Sequence, residues 1–309
     1  MKRRAARFAF LLVVTGICAA PDASAFAPEP VVASPRIDLQ PAVAAGYLAY
    51  SQSVAGHPNR FNLFVKPDGA ARWRVNPAGT SAFAGSIDGT TLAYSQVSNA
   101  RGQANIKLYN LVNRTLSNPP AGVNTRSHEA HPALSGSWLM FARSRVRSLS
   151  SPRRILLRNL NTDRQRLLDF GDDAYLQMGG LAGNYAVWTR CRRLNHCNTF
   201  LYEIGARVKR RLPNPFDRSQ FAASVTADGT VYYAESGSIL CGRRKIVRFF
   251  REPLDGPRER LATLARGSDT GVTSPLVHVD GAVDLYFDRF NATCSTADIL
   301  KVPIPAPAS

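Results

Sequence analysis

The densest group of imidazole and carboxylate side chains in this sequence is the segment SHEAHP at residues 127–132. It contains His128, Glu129 and His131, and side chains of these types can bind a divalent cation or transfer a proton. Alternate residues of a regular β-strand point to opposite faces, so His128 and His131 are not expected to share one face. Two interpretations stay open: a metal or catalytic site, or polar residues that cap the end of a strand.

A second candidate for chemistry is a set of three arginine-rich segments, at residues 143–154, 190–197 and 235–245. Guanidinium groups match the geometry of phosphate and carboxylate, so these segments favour the binding of an anion. They contain a single acidic residue, Glu235, and eleven basic ones. The eleven are Arg143, Arg145, Arg147, Arg153, Arg154, Arg190, Arg192, Arg193, Arg243, Arg244 and Lys245. The alternative is a solvated surface in an arginine-rich chain, which also carries RVKRR at 207–211.

These segments belong to a sequence that repeats, as the pentapeptide LAYSQ at 48–52 and again at 92–96 indicates. Six copies of a longer unit can be aligned, each with an apolar strand, a turn at a glycine, a second strand, a variable loop and a third strand. The turn glycines are Gly46, Gly89, Gly136, Gly183, Gly229 and Gly281. Their spacings of 43, 47, 47, 46 and 52 residues are typical of propeller blades. We therefore predict an all-β, six-bladed β-propeller in a single domain.

The blade pattern resembles that of the TolB-like β-propeller family, in which a small-polar turn precedes an apolar strand and a later strand ends in a polar turn. The matching residues are Asp88-Gly89, Asp228-Gly229 and Asp280-Gly281, with LYNL at 108–111 and LRNL at 157–160. The resemblance implies the six-bladed fold but no single function, because such propellers serve as scaffolds, receptors and parts of enzymes. Relatives with a role in envelope translocation carry an α/β domain before the propeller, and we expect none here.

The predicted propeller places the arginine-rich segments together. In this fold the loops between second and third strands emerge on one face, beside the connections between blades. The eleven basic residues lie in these loops of blades 3 to 5, and we name them the basic loop face. The HEAH group lies where the innermost strand of blade 3 begins, so we expect it near the mouth of the central channel.

Four cysteines remain after the first 25 residues, and an even number in an exported chain favours disulfides. Cys191 and Cys197 bracket one short loop, whereas Cys241 and Cys294 stand in equivalent loops of adjacent blades. We therefore predict the pairs Cys191–Cys197 and Cys241–Cys294. A zinc site that combines these thiols with His196 is the alternative, although the paired Cys-x-x-Cys spacing is lacking.

The two ends of the chain differ from the repeats in composition. Residues 1–25 combine a basic start, an apolar run from Phe8 to Ala20 and a small-residue ending, which predicts a cleaved export signal. The run is shorter than the roughly 20 apolar residues of a membrane span. We expect residues 26–41 to supply a ring-closing strand, residues 42–304 to form the propeller and residues 305–309 to form a tail.

The charge balance bears on the partner. The formal net charge is +17, with 39 Lys and Arg against 22 Asp and Glu, and such a balance attracts polyanions. We predict a secreted or periplasmic, monomeric, non-enzymatic binding or scaffold propeller that contacts an anionic polymer or an acidic protein through the basic loop face. We expect no catalytic residue, no metal and no cofactor. The alternative is an enzyme or metal-binding propeller with its site at the channel mouth, formed by His128, Glu129, Tyr175 and Gln177.

Overall fold

The fold is an all-β propeller built from six antiparallel sheets. The computed structural model describes residues 28–44, 46–98, 102–145, 153–171, 175–192, 196–215, 218–236, 246–264, 284–291 and 293–304. Over these ranges the chain forms 23 strands and no helix, and so contains no helical segment with the length and apolarity of a membrane span. The predicted fold class, a six-bladed β-propeller, is confirmed.

Blades 1 to 5 each have four strands, ordered from the channel outwards as they follow in the chain. Blade 1 comprises β2 (Asp38–Ala44), β3 (Tyr47–Val54), β4 (His57–Pro67) and β5 (Trp73–Arg74). Blade 2 comprises β6 (Thr80–Asp88), β7 (Thr91–Ser98), β8 (Ala104–Asn110) and β9 (Leu116–Ser117). Blade 3 comprises β10 (His128–Ser135), β11 (Trp138–Ser144), β12 (Arg153–Asn159) and β13 (Gln165–Gly171). Blade 4 comprises β14 (Tyr175–Ala182), β15 (Tyr185–Cys191), β16 (Cys197–Glu203) and β17 (Val208–Arg211). Blade 5 comprises β18 (Ser219–Val225), β19 (Val231–Ser236), β20 (Val247–Glu252) and β21 (Glu259–Leu264).

The sixth blade is formed from both ends of the described chain. Its strands are β22 (Asp284–Phe290), β23 (Ala297–Pro303) and β1 (Glu29–Val32). β1 pairs antiparallel with β23, with Glu29 opposite Lys301. A strand from the N-terminal segment therefore covers the edge that β23 would otherwise leave unpaired. The innermost strand predicted for this blade, around Gly281, lies outside the described residues.

The turn glycines of blades 1 to 5 have the backbone conformation that their role requires. The φ angles of Gly46, Gly89, Gly136, Gly183 and Gly229 are +78°, +54°, +53°, +52° and +84°. Side chains with a Cβ rarely adopt this left-handed region, whereas glycine enters it without steric cost. The first hairpin of each blade thus selects glycine, which explains the regular spacing in the sequence.

The LAYSQ repeat encodes both core packing and the joint between neighbouring blades. Its tyrosine position holds an aromatic side chain in every blade, and each is at most 1% exposed. These residues are Tyr50, Tyr94, Phe141, Trp188, Tyr233 and Phe287. Its serine joins blades: Ser51 Oγ accepts the backbone N–H of Ala84 at 2.9 Å, and Ser95 Oγ accepts that of His131 at 2.8 Å. The pentapeptide recurs because blades 1 and 2 make the same two kinds of contact.

Each described innermost strand contains a β-bulge at the same level, which the sequence pattern did not predict. The pairing shifts within β2, β6, β10, β14 and β18. At three of these bulges a non-glycine residue has positive φ: Gln40 (+56°), His131 (+52°) and Ala222 (+54°). A bulge bends its strand and redirects the neighbouring N–H group. At His131 the redirected N–H is the one that Ser95 accepts.

Candidate binding face

The structure describes six of the eleven residues that were predicted to form the basic loop face. These six are Arg143, Arg145, Arg153, Arg154, Arg190 and Arg192. The others, Arg147, Arg193, Arg243, Arg244 and Lys245, lie outside the described residues. The contacts of the six decide how much of their positive charge is available to a ligand.

Arg143 is bound to the interior of blade 3. Its Nε donates to Glu129 Oε1 at 2.8 Å, and its Nη2 donates to the carbonyl oxygens of Gly122 and Val123 at 3.0 and 2.8 Å. Glu129 is 0% exposed, so the arginine replaces the hydration that its carboxylate lost on burial. Arg143 therefore fixes the segment that leads into β10 and is not offered to an external anion.

Arg190 belongs to an ion cluster that joins blades 3 and 4. At its centre is Asp169 of the outer strand β13, which is 5% exposed. The Asp169 carboxylate accepts hydrogen bonds from Trp188 Nε1 at 2.7 Å, Arg190 Nη1 at 3.0 Å and Lys209 Nζ at 3.1 Å. This cluster gives Arg190 a structural role.

Arg153 is also an interior residue, although it starts a strand next to a loop. It is buried, and its Nη1 approaches the Leu176 carbonyl oxygen at 3.4 Å. Its charge acts on His131: burial, and then Arg153, lowers the pKa of His131 to about 4. His131 is therefore a neutral imidazole at neutral pH.

Arg145, Arg154 and Arg192 are the described members of the basic loop face that remain exposed. The Arg154 guanidinium lies 5.5 Å from the centre of the Phe170 ring, and no ion pair within the described ranges includes any of the three. Arg143 and Arg190 differ from these three residues because each is paired with a buried carboxylate. Their partners Glu129 and Asp169 stand outside the loops, on strands that only the fold brings alongside.

Two members of the predicted channel-mouth group, His128 and Glu129, form hydrogen bonds within the fold. His128 Nδ1 accepts the backbone N–H of Ala104 at 3.3 Å, which turns the imidazole towards blade 2. Glu129 accepts the Thr125 hydroxyl at 2.6 Å and the Thr125 N–H at 3.2 Å, in addition to Arg143. Tyr175 and Gln177 lie on β14, and their side chains are outside the described set. No group of three or more His, Cys, Asp or Glu in the described ranges is arranged to hold a metal ion.

One predicted disulfide is present. Cys191 and Cys197 are paired across β15 and β16, with their Cα atoms 3.9 Å apart, and their sulfurs are bonded. Cys294 is also disulfide-bonded, but Cys241 lies outside the described residues, so the second pair stays a prediction. With Cys191 and Cys197 bonded to each other, their thiolates are not available for the alternative zinc site with His196.

A cavity of about 310 Å³ lies at the other end of the channel, next to the turn glycines. Its walls are the innermost strands of blades 1 to 5. Polar wall groups here already join neighbouring blades: Ser86 Oγ accepts the Leu134 N–H at 2.6 Å, and Asp88 Oδ2 accepts the Gly136 N–H at 2.7 Å. These contacts give the cavity walls a structural function.

Two further arginines, Arg248 and Arg260, lie on blade 5 and were not predicted as site residues. They lie within the strands β20 and β21, whereas the basic loop face was predicted from the loops between second and third strands. The sequence signal for Arg248 is VRFFRE at 247–252, where two arginines flank a pair of buried aromatic residues.

Comparison with known proteins identifies the fold of this chain but not its function. No protein-family model matches the chain, and no curated protein sequence does either. TolB from Acinetobacter baumannii is 17% identical, with a TM-score of 0.54 over 84% of this chain and 63% of that one, so this chain spans less than two thirds of that structure. A putative TolB from Agrobacterium tumefaciens is 13% identical, with a TM-score of 0.58 over 88% and 92% of the two chains. An oligogalacturonate lyase in complex with manganese is 10% identical, with a TM-score of 0.55 over 91% and 96%. The chain therefore has a TolB-like six-bladed β-propeller fold.

Proposed function

We propose that this protein is a non-enzymatic binding propeller that contacts an anionic polymer or an acidic protein through the basic loop face. The observation that carries the proposal is positive charge without an internal counter-charge. Arg145, Arg154 and Arg192 are exposed on one face and form no ion pair within the described ranges. Exposed guanidinium groups attract anions over several ångströms and bind their oxygens in a fork geometry.

The compartment we propose is extracytoplasmic, either periplasmic or extracellular. The Cys191–Cys197 disulfide supports it, because such bonds persist in oxidising environments and are rare in the cytosol. The composition of residues 1–25 supports it independently, since that segment has the pattern of an export signal.

A binding role is favoured over the channel-mouth enzyme because His128 and Glu129 are used within the fold. The neighbours in fold include two TolB structures and a lyase, so the architecture alone does not choose between binding and catalysis. The choice depends on side chains, and the exposed ones on the basic loop face are suited to holding an anion.

The test is salt-dependent binding of the purified protein to fluorescent heparin, duplex DNA and polyglutamate. Arg145→Gln with Arg192→Gln removes two charges from the basic loop face. The matched control, Arg164→Gln with Arg207→Gln, removes two exposed charges from turns on the opposite face. We expect the first variant to weaken binding and to lower the slope of log K against log salt, by roughly one unit per lost contact on a nucleic-acid-like polymer.

Two results would count against this function. Absence of binding to all three probes at low salt would remove it altogether. Equal weakening by the two double variants would mean that total charge, not the basic loop face, governs the interaction.

A further inference from the structure

The outer part of blade 5 carries a second concentration of positive charge, arranged around the buried carboxylate of Glu235. Glu235 is 1% exposed and lies on β19. The strand register places Gln220 opposite it on β18 and Arg248 opposite it on β20. Side chains directly opposite each other share a face of a sheet and interact, so Arg248 is the cation that the register offers to Glu235.

The ion pair of Glu235 is formed with a different arginine, Arg258. Arg258 Nη2 lies 2.7 Å from Glu235 Oε2. The Arg258 guanidinium reaches this position by lying over Phe250, 3.5 Å from the ring centre, and beside Tyr233 at 5.6 Å. Stacking on these rings fixes the arginine in place. Glu235 is thereby ion-paired with Arg258, whereas its cross-strand neighbour Arg248 is attracted by the same carboxylate without forming an ion pair with it.

Arg248 has an unpaired neighbour of the same charge, Arg260. Arg260 stands opposite Phe250 in the pairing of β20 with β21, and Arg248 is two residues before Phe250. The two arginines are thus diagonal neighbours beside the bulge at Phe249 and Phe250, and diagonal Cβ atoms in a regular sheet are about 7–8 Å apart. In the described part of the chain neither side chain forms a hydrogen bond or an ion pair.

The surroundings of Arg248 disfavour its positive charge. Partial burial, and then the charges of Arg218 and Arg260, lower its pKa. Glu235 opposes this shift, but its carboxylate is shared with Arg258, and like charges held close together destabilise a sheet. Such an arrangement is favourable when an external anion supplies the counter-charge, and Arg260 is exposed while Arg248 is half-buried, so both can be reached.

We propose that Arg248 and Arg260 form a binding site for the oxyanion groups of an anionic polymer, at the outer side of blade 5. The site rests on the proposed function and extends the basic loop face, because β20 begins directly after the arginine-rich segment at 235–245. Two guanidinium forks at this separation can each hold one carboxylate, sulfate or phosphate group of the same polymer.

A polymer is favoured over an acidic protein because, in the described part of blade 5, no large hydrophobic side chain is exposed beside the site. Protein interfaces are built around buried aromatic or aliphatic side chains with a polar rim. Over the described ranges, the large hydrophobic side chains that are exposed lie on blades 2, 3 and 4. They are Val112, Leu116, Leu167, Phe170 and Val208.

The test uses a double variant that combines Arg248→Gln and Arg260→Gln. Its binding to heparin is titrated at several salt concentrations and compared with that of the control double variant, Arg164→Gln with Arg207→Gln. We expect the double variant to lose heparin affinity at least about tenfold at low salt and to lower the salt slope by about one to two units, while Arg164→Gln with Arg207→Gln changes neither. The melting temperature of the double variant should be unchanged or higher, because a repulsive pair is removed. A fall in melting temperature would show that the arginines have a structural partner and would overturn the site.

The failures of the site and of the proposed function are distinguishable. If the wild type binds heparin and the Arg248/Arg260 variant binds it equally well, the site is wrong and the basic loop face remains. If the wild type binds none of the three probes, the proposed function falls, and the site with it. Polyglutamate stands in for an acidic polypeptide, and its preference over heparin at equal charge concentration would overturn the assignment of the site to a non-protein polymer.

Discussion

Asp169→Ala should be among the most destabilising substitutions at the junction of blades 3 and 4. The change removes the acceptor for the indole N–H of Trp188, which is fully buried, and the counter-charge of Arg190 and Lys209. A buried donor left without a partner costs about 1–3 kcal/mol. The two cations are 35% and 36% exposed, so water screens each pair and its loss costs only about 0–1 kcal/mol. Together these terms predict a loss of about 1–5 kcal/mol in the free energy of unfolding.

The assay is urea unfolding at pH 7, followed by tryptophan fluorescence and far-ultraviolet circular dichroism. Asp169→Asn tests the reasoning further, because its amide oxygen can still accept the indole N–H while the charge is lost. We expect it to cost about 1 kcal/mol. Asp163→Asn is the matched control: Asp163 pairs with Arg158 at 2.9 Å, but its side chain is 70% exposed, so a change within about 0.5 kcal/mol is expected.

The result that refutes this reasoning is a wild-type unfolding midpoint for both Asp169 variants. Equal losses for Ala and Asn would instead assign the whole effect to charge and none to the indole hydrogen bond. The order Ala, then Asn, then the Asp163 control is what the geometry requires.

Two further predictions concern His131 and the cysteines. The pKa of His131 in the fold, about 4, lies below the roughly 6.5 of an unfolded histidine, so unfolding takes up a proton and the fold loses stability as the pH falls from about 6.5 towards 4, by roughly 1–3 kcal/mol. His131→Asn, which tolerates positive φ, should flatten this part of the stability–pH profile, and an unchanged slope would contradict the assignment. Mass mapping of the oxidised protein should recover Cys191 linked to Cys197 and Cys241 linked to Cys294, and a Cys197–Cys241 peptide would disprove both pairs.

The parts of the fold that the sequence could predict are those fixed by single residues at regular spacing. Turn glycines such as Gly89 and Gly136 report a backbone angle that other residues avoid, so each glycine is informative by itself. The aromatic position of LAYSQ likewise repeats because every blade buries one ring at that level. Requirements that a single residue meets by itself can be recognised from the sequence alone.

The side-chain partners could not be predicted because they depend on register and on neighbouring blades. Counting charges within the arginine-rich loops could not reveal that Arg190 meets Asp169, a residue of another blade. The position of Arg248 could not be predicted either. Its cross-strand neighbour is Glu235, but the ion pair of Glu235 is formed with Arg258. The bulge at His131 lies in a strand that reads as regular and is imposed by the close contact between blades.

The pairing of β1 with β23 has a consequence for the order in which the protein folds. Glu29 and Lys301 are opposite each other in the sheet although almost the whole described chain separates them. Bringing such distant residues together carries the largest loop-closure entropy in the molecule, and contacts of this kind form late when the rest of the structure is built from local hairpins. Blades 1 to 5 each pair strands that follow one another in the chain, so they can form first. The last blade then assembles on a nearly complete ring, and until it does β23 presents an open edge that another chain can occupy.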